Sequence, residues 1–163
     1  MKKLFLNIPV LIAAAMFSLQ VYGQKVNYIK IPELEKILGN HDNKVFVVNF
    51  WATWCPPCVK EFPDFEKVAG EYDTTAVKFI MVSLDFPSQI RKQLIPFLEK
   101  NKVSLDVAVM MDIDYNAWIG KVDASWQGEI PATLVFNNTK NLRNFHSGEL
   151  NEATLKKMIN AYL

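Results

Sequence analysis

The sequence is poor in several features that mark particular functions. Only two cysteines and two histidines occur among 163 residues, and the histidines, His41 and His146, are isolated in sequence. Neither histidine is therefore assigned a catalytic role. Basic and acidic residues are nearly balanced at 18 and 17, which leaves no basic field for a nucleic-acid partner. The sequence has no internal repeat, low-complexity stretch or cofactor-binding motif, and its length suits one domain with a proper core.

The first residues have the pattern of a secretory signal peptide. Lys2 and Lys3 form a charged start, residues 8–19 are mostly apolar, and Gly23 offers a small residue before a cut. The apolar stretch is shorter than the ~20 residues that a membrane-spanning helix needs. We therefore expect a signal peptide over 1–23, a mature domain over 24–163, and a periplasmic or otherwise extracytoplasmic location. If the segment stayed uncleaved, it would instead hold the protein at a membrane.

Both cysteines lie in residues 50–58, which read Phe-Trp-Ala-Thr-Trp-Cys-Pro-Pro-Cys. Residues 45–50 are β-branched and aromatic, as in a strand buried on both faces. Residues 59–72 have the apolar spacing of an amphipathic helix. Cys55 and Cys58 therefore sit where a strand gives way to a helix N-terminus, whose free N–H groups and dipole stabilise a thiolate. We expect Cys55 to be the attacking nucleophile and Cys58 to be the resolving cysteine.

A purely structural disulfide is the alternative for this cysteine pair. A bond that closes so short a loop constrains the unfolded chain little, so it would add little stability. A C-x-x-C pair at a helix start can instead alternate between dithiol and disulfide, which is the minimum apparatus for thiol–disulfide exchange. The redox role is therefore favoured.

These residues resemble the active-site segment of thioredoxin-like proteins, and in particular of the extracytoplasmic TlpA/ResA-like branch. The branch typically has Val-Asn-Phe-Trp at the strand end and Glu-Phe-Pro in the helix, and this chain has Val48-Asn49-Phe50-Trp51 and Glu61-Phe62-Pro63. A second landmark, a cis-proline before a strand, is similar to Ile130-Pro131-Ala132-Thr133. The resemblance covers the order of elements over the mature chain, and these two motifs are its specific part.

The order of patterns predicts an α/β fold. Strands are predicted at 26–31, 45–50, 76–84, 107–110, 132–136 and 142–147, and helices at 32–38, 59–72, 87–101 and from 151 onward. Strand–helix alternation followed by a terminal hairpin and helix predicts a thioredoxin-like three-layer sandwich, with a central mixed sheet flanked by helices. The irregular residues 112–129 contain Trp118 and Trp126, which suit either a recognition lid or core anchors.

Two features of the motif bear on its chemistry. Pro56 and Pro57 have no N–H, so the thiolate loses two potential hydrogen-bond donors, which favours the disulfide form and hence a reductant. Glu61, three residues after Cys58, lies on the same side of the helix and is placed to exchange a proton with the resolving thiol. It also matches the active-site acid of the ResA-like proteins. The alternative for Glu61 is a solvated acid that only complements the helix dipole.

The resemblance also implies a docking surface for an extended substrate. A cis-proline at Pro131 would expose the backbone of Ile130 for hydrogen bonding to a peptide. Trp54, beside the nucleophile, is expected to form an apolar wall of this groove, whereas Trp51 is expected to pack beneath the motif. The predicted site therefore consists of Cys55, Cys58 and Glu61 for catalysis, and Trp54, Ile130 and Pro131 for substrate binding.

Two functions from different classes fit these observations. The first is an exported thiol–disulfide oxidoreductase that reduces disulfides in other proteins, with cytochrome c maturation as one job known in the family. Because no cofactor is expected, it would need a membrane thiol carrier as electron donor. The alternative is a copper- or zinc-handling module with His146 as third ligand, although two cysteines and one distant histidine make an incomplete site. A thiol peroxidase is disfavoured, because those enzymes place a lone cysteine in a different local pattern.

Overall fold

The computed structural model describes residues 26–163. The signal peptide predicted over 1–23 and the boundary at residue 24 lie outside the described residues. None of the helices between residues 26 and 163 has the length and apolar composition that crossing a membrane requires.

Six strands form one mixed sheet in the order β1-β4-β3-β2-β5-β6. The strands are β1 (Asn27–Ile29), β2 (Val45–Trp51), β3 (Val77–Ser83), β4 (Asp106–Met110), β5 (Ala132–Asn137) and β6 (Leu142–Ser147). Strands β1 to β4 are mutually parallel, whereas β5 runs antiparallel to both β2 and β6. The predicted mixed sheet, its β1 edge and the β5–β6 hairpin are confirmed.

The helices lie on the two faces of this sheet. They are α1 (Ile31–Leu38), α2 (Pro56–Ala69), α3 (Pro87–Gln89), α4 (Ile95–Lys100), α5 (Ile119–Val122) and α6 (Glu152–Asn160). One core cluster joins α2, α4 and α6 to the sheet, and a second joins α1 and α5 to the opposite face. The three-layer sandwich is therefore confirmed.

Strand β2 contributes to both core layers, because successive side chains of a strand point to opposite faces. Val45, Val47 and Trp51 belong to the cluster on the α2 face, and Phe46 and Phe50 belong to the other. All seven residues of β2 are buried. By the same alternation Asn49 lies on the α2 face, which places a polar side chain in the apolar layer beneath the active-site helix.

The helix predicted over 87–101 is one continuous helical stretch with a π-helical turn in its middle. The turn spans Ile90–Leu94, and the N–H of Ile95 bonds to the carbonyl of Ile90. Pro96 follows at the start of α4, where a proline can donate no backbone hydrogen bond. The widened turn therefore lies directly before the proline that interrupts the hydrogen bonding of this helix.

The two tryptophans of the irregular segment are core anchors. Trp118 and Trp126 are buried, and their rings lie 5.8 Å and 4.7 Å from that of Phe50. Their indole N–H groups donate to the backbone carbonyls of Asp112 and Glu129. The alternative in which these two side chains form a recognition lid is therefore wrong, since neither reaches the surface.

Candidate active site

The two cysteines lie at the junction that the sequence predicted. Strand β2 ends at Trp51 and helix α2 begins at Pro56, with Cys55 as its N-cap. Cys55 and Cys58 form a disulfide. Cys58 is fully buried and Cys55 is 5% exposed, so the sulfur of Cys55 is the one that an incoming partner can approach.

Helix α2 offers the sulfur of Cys55 one donor from its first turn. An N-cap side chain accepts from the N–H groups at the second or third helical position. Pro57 fills the second position and has no N–H, while the N–H of Cys58 donates to Cys55 Sγ at 3.3 Å. Pro56 and Pro57 remove two potential donors, as predicted from the sequence. The structure adds the one that remains.

The loop before β5 approaches the same sulfur. The peptide bond between Ile130 and Pro131 is cis, as predicted, and the carbonyl oxygen of Ile130 lies 3.7 Å from Cys55 Sγ. In the dithiol form this oxygen is within reach of the Cys55 S–H group. Trp54 directly precedes Cys55 and is 46% exposed, so an exposed aromatic residue adjoins the nucleophile.

Glu61 lies inside the protein rather than on its surface. Only 2% of the residue is exposed, and its carboxylate accepts hydrogen bonds from Asn49 Nδ2 at 2.8 Å and from the backbone N–H of Leu150 at 2.7 Å. Burial raises the pKa of Glu61 to about 7, more than these two hydrogen bonds lower it. The nearby charges of Glu149 and Asp64 raise the pKa further. The alternative of a solvated acid is therefore wrong.

Asn49 and Thr133 complete this buried group, and the sequence analysis gave neither a role. The Nδ2 group of Asn49 also donates to Thr133 Oγ1 at 3.0 Å, and both residues are fully buried. The signal for Asn49 was available, because it is the only polar residue in the otherwise apolar run of β2. The signal for Thr133 was weaker, since threonine is common in strands.

A second buried carboxylate fixes the turn that leads into Cys55, and sequence reasoning also missed it. Asp85 is 1% exposed. Its oxygens accept from the backbone N–H of Thr53 at 3.1 Å, from the Thr53 hydroxyl, and from Ser83 Oγ at 2.7 Å. Because Ser83 ends β3 and Thr53 follows β2, Asp85 ties the ends of two neighbouring strands together directly before the nucleophile.

Between residues 26 and 163, the side chains that a metal site requires are not brought together. Among the described residues, no group of three histidine, cysteine or acidic side chains is arranged to hold a metal ion. His146 lies in β6 opposite Thr133 and joins no such group with the cysteines. The third ligand suggested for a copper or zinc site is therefore not supplied by His146.

Fold and site together define the class of this protein. A mixed sheet with helices on both faces, a disulfide at a strand–helix junction, and the carbonyl of the residue before a cis-proline beside the outer sulfur are the features of a thioredoxin-like thiol–disulfide oxidoreductase. The chain belongs to the AhpC/TSA family, whose model matches residues 13–145.

Two curated relatives carry names of the same class. Thiol-disulfide oxidoreductase ResA of Halalkalibacterium halodurans is 26% identical over 142 residues, which cover 83% of this chain and 73% of the relative. Sporulation thiol-disulfide oxidoreductase A of Bacillus subtilis is 30% identical over 81 residues, which cover 50% of this chain and 49% of the relative. The match to this second protein thus spans about half its length.

Solved structures agree on the fold. A thioredoxin-related protein from Neisseria meningitidis serogroup B superposes with a TM-score of 0.63 at 27% identity, covering 72% of this chain and 84% of that one. StoA from Bacillus subtilis superposes with a TM-score of 0.58 at 22% identity, covering 74% and 85%. Because the identity to StoA is only 22%, this second likeness shows a shared fold and nothing more.

Proposed function

We propose that this protein reduces disulfides in extracytoplasmic proteins through a dithiol–disulfide cycle of Cys55 and Cys58. The observation that carries the proposal is the environment of the Cys55 sulfur. Cys55 caps α2, and its sulfur accepts one backbone hydrogen bond, from the N–H of Cys58, because prolines occupy the first two helical positions. A thiolate stabilised so sparingly is a poor leaving group and a strong electron donor to a partner's disulfide.

The cycle proceeds by two exchange steps. The Cys55 thiolate attacks one sulfur of the partner's disulfide, a Cys55–partner bond forms, and the partner's other sulfur leaves as a thiolate. Cys58 then gives its proton to the Glu61 carboxylate and attacks Cys55 Sγ, which forms the Cys55–Cys58 disulfide and releases the partner's second thiolate. Two electrons pass from the cysteine pair to the partner, whose thiolates take up protons.

Glu61 suits the role of proton acceptor because it is buried on the helix that carries Cys58. With a pKa of about 7, its acid and base forms are both populated near neutral pH, which is the requirement for a group that takes up and returns a proton. Its place three residues after Cys58 puts both side chains on one side of α2.

The partner is a protein chain docked beside the cis-proline. The carbonyl of Ile130, held against Cys55 by the bond to Pro131, would accept a backbone N–H of an extended segment, and Trp54 would cover its apolar side chains. Apocytochrome c, which offers a cysteine pair that must be reduced before haem attachment, is one substrate of this chemistry. Since no cofactor is proposed, a membrane thiol carrier returns the electrons.

Export by the segment 1–23 places the reaction outside the cytoplasm. The support is the sequence pattern of this segment: Lys2 and Lys3, the apolar stretch and Gly23. Sequencing the N-terminus of the protein recovered from a cell envelope fraction tests it. A chain that begins after Gly23 supports export, and a full-length chain in the cytoplasm contradicts it.

The equilibrium reduction potential of the Cys55–Cys58 pair tests the direction of electron flow. It is measured against a dithiothreitol or glutathione buffer and read through the fluorescence of Trp54. A value near or below the ~ −270 mV of thioredoxin supports a reductase. A value near the ~ −120 mV of a strong oxidant would reassign the protein to disulfide formation. Zinc or copper titration of the reduced protein tests the metal-handling alternative, which predicts tight stoichiometric binding.

A further inference from the structure

The side-chain amide of Asn49 makes hydrogen bonds through its nitrogen but not through its oxygen. Its Nδ2 group donates both to Glu61 Oε1 at 2.8 Å and to Thr133 Oγ1 at 3.0 Å. Within residues 26–163, its Oδ1 atom accepts no hydrogen bond although it is buried. An unpartnered buried carbonyl costs about 1–3 kcal/mol, so this arrangement calls for an explanation.

The hydrogen bonds that Glu61 receives are complete when its carboxyl group is ionised. A carboxylate accepts hydrogen bonds on both oxygens, and here Asn49 supplies one donor and the N–H of Leu150 the other. Once Oε1 carries a proton it becomes a donor. The Nδ2 group would then face the O–H group, donor against donor, and the new O–H would need an acceptor.

The unused Oδ1 atom of Asn49 is that acceptor. Half a turn of the amide about its last side-chain bond exchanges Oδ1 with Nδ2, two groups of nearly equal size, so the turn needs no repacking of the core. In the turned position Oδ1 accepts the O–H of Glu61. It also accepts the hydroxyl of Thr133, since a threonine hydroxyl can serve as acceptor in one state and donor in the other.

We propose that Asn49 is a positioning residue whose amide turns when Glu61 gains or loses its proton, with the Thr133 hydroxyl reversing at the same time. The link to catalysis rests on the proposed function. In the resolving step the S–H bond of Cys58 breaks, an O–H bond forms on Glu61, and the negative charge moves from the carboxylate to the sulfur. Asn49 then supplies a hydrogen bond to Glu61 both before and after the transfer.

Other ionisable groups around Glu61 bear on its titration. Asp64 faces it from its own helix, and Glu149 faces it from the connection between β6 and α6, where it is paired with Lys60. In the dithiol form Cys58 is a further neighbour. Asp64 and Glu149 disfavour the carboxylate by their charge, but neither hydrogen-bonds to the Asn49 amide, so they cannot produce its turn.

The turn can be followed by NMR in the oxidised, isotope-labelled protein. We expect a scalar coupling across the hydrogen bond from Asn49 Nδ2 to the Glu61 carboxyl carbon at high pH, and its loss with the midpoint at which that carboxyl carbon titrates. Asn137 is the internal control, because its buried Nδ2 donates to the backbone carbonyl of Tyr162 and its Oδ1 accepts from Lys140. Its amide should show no change at that midpoint.

A coupling from Asn49 to Glu61 that persists on both sides of the Glu61 midpoint would overturn the proposal. So would loss of the coupling at an unrelated pH. In Glu61→Gln the side chain does not titrate, and the Asn49 amide resonances should be constant over the same range. The wild-type titration decides the question even if this variant does not fold. Because no exchange reaction is involved, the result is independent of the direction of electron flow and of the substrate.

Discussion

The backbone N–H of Leu150 donates to Glu61 Oε2 at 2.7 Å, across 89 positions of the sequence. Leu150 is itself buried and lies between β6 and α6. The acid of the active-site helix is thus held by the connection that leads into the last helix. The carboxylate receives this hydrogen bond only when α2 and the β6–α6 connection are both in place. The ionisation of Glu61 is therefore coupled to folding of the C-terminal part of the chain.

Burial of Glu61, which outweighs these hydrogen bonds, predicts that the oxidised protein loses stability as the pH rises from 4.5 to about 7. The pKa of Glu61 is about 7 in the folded protein against an ordinary value of 4.5. Between these values the folded state holds a proton that the unfolded state has released, so the free energy of unfolding falls with pH. The stabilisation that the Glu61 proton gives the folded state is complete below pH 4.5 and lost above pH 7. It amounts to roughly 3 kcal/mol. Urea denaturation at a series of pH values measures it.

Glu61→Gln is the matched control for this experiment, since it keeps the shape of the side chain and cannot titrate. Its unfolding free energy should vary much less with pH over the same range. If the two proteins gave parallel curves, the pH dependence would belong to other groups and Glu61 would titrate near its ordinary pKa.

Asp85 and Thr53 allow a second test, of the turn that precedes Cys55. Thr53→Val removes the hydroxyl that donates to Asp85 and keeps the side-chain shape. Because a hydrogen bond to a buried charged group contributes about 1.5–3 kcal/mol, we expect a loss of stability of that order in urea denaturation. Thr53→Ser keeps the hydroxyl and should lose less. Equal stability of the two variants would show that the side-chain bond contributes little.

Most of the fold could be predicted from the sequence because its signals are local. The apolar run before the motif, the polar turn between β5 and β6, and the cysteine spacing each depend on a few neighbouring residues, and each prediction is confirmed. The cis bond at Pro131 followed from the resemblance alone. What these features share is that the pattern and the structure it predicts lie in the same short segment.

The polar group around Glu61 could not be predicted in the same way. Asn49, Glu61, Thr133 and Leu150 come from β2, α2, β5 and the β6–α6 connection, and apart from the polar Asn49 in an apolar strand none stands out in its own segment. Only the packing of α2 on the sheet makes them neighbours. Burial of Glu61 was likewise open, because an acid in the first turns of a helix also occurs in water.

Trp118 and Trp54 have the same side chain in opposite environments, which predicts opposite effects of truncation. Trp118 is fully buried and Trp54 is 46% exposed. Trp118→Ala is expected to cost about 3–5 kcal/mol of stability. Trp54→Ala should change the stability by no more than about 0.5 kcal/mol, and should instead raise KM for a protein disulfide. Urea denaturation and an insulin reduction assay measure the two. A stability loss in Trp54→Ala as large as that in Trp118→Ala would contradict the assigned environments.

Pro57 provides the last prediction, because it occupies the helical position from which an N–H would point at the Cys55 sulfur. Pro57→Ala restores that N–H, adds a donor to the one from Cys58, and stabilises the thiolate. We expect a lower pKa of the Cys55 thiol and a reduction potential more positive by on the order of 30 mV, which corresponds to roughly 1.4 kcal/mol. Pro56→Ala is the matched control, since an N–H at the first helical position does not point at the cap, and its potential should change less. Equal shifts in both variants would mean that the prolines act through the backbone conformation of the turn, and not through the donors they remove.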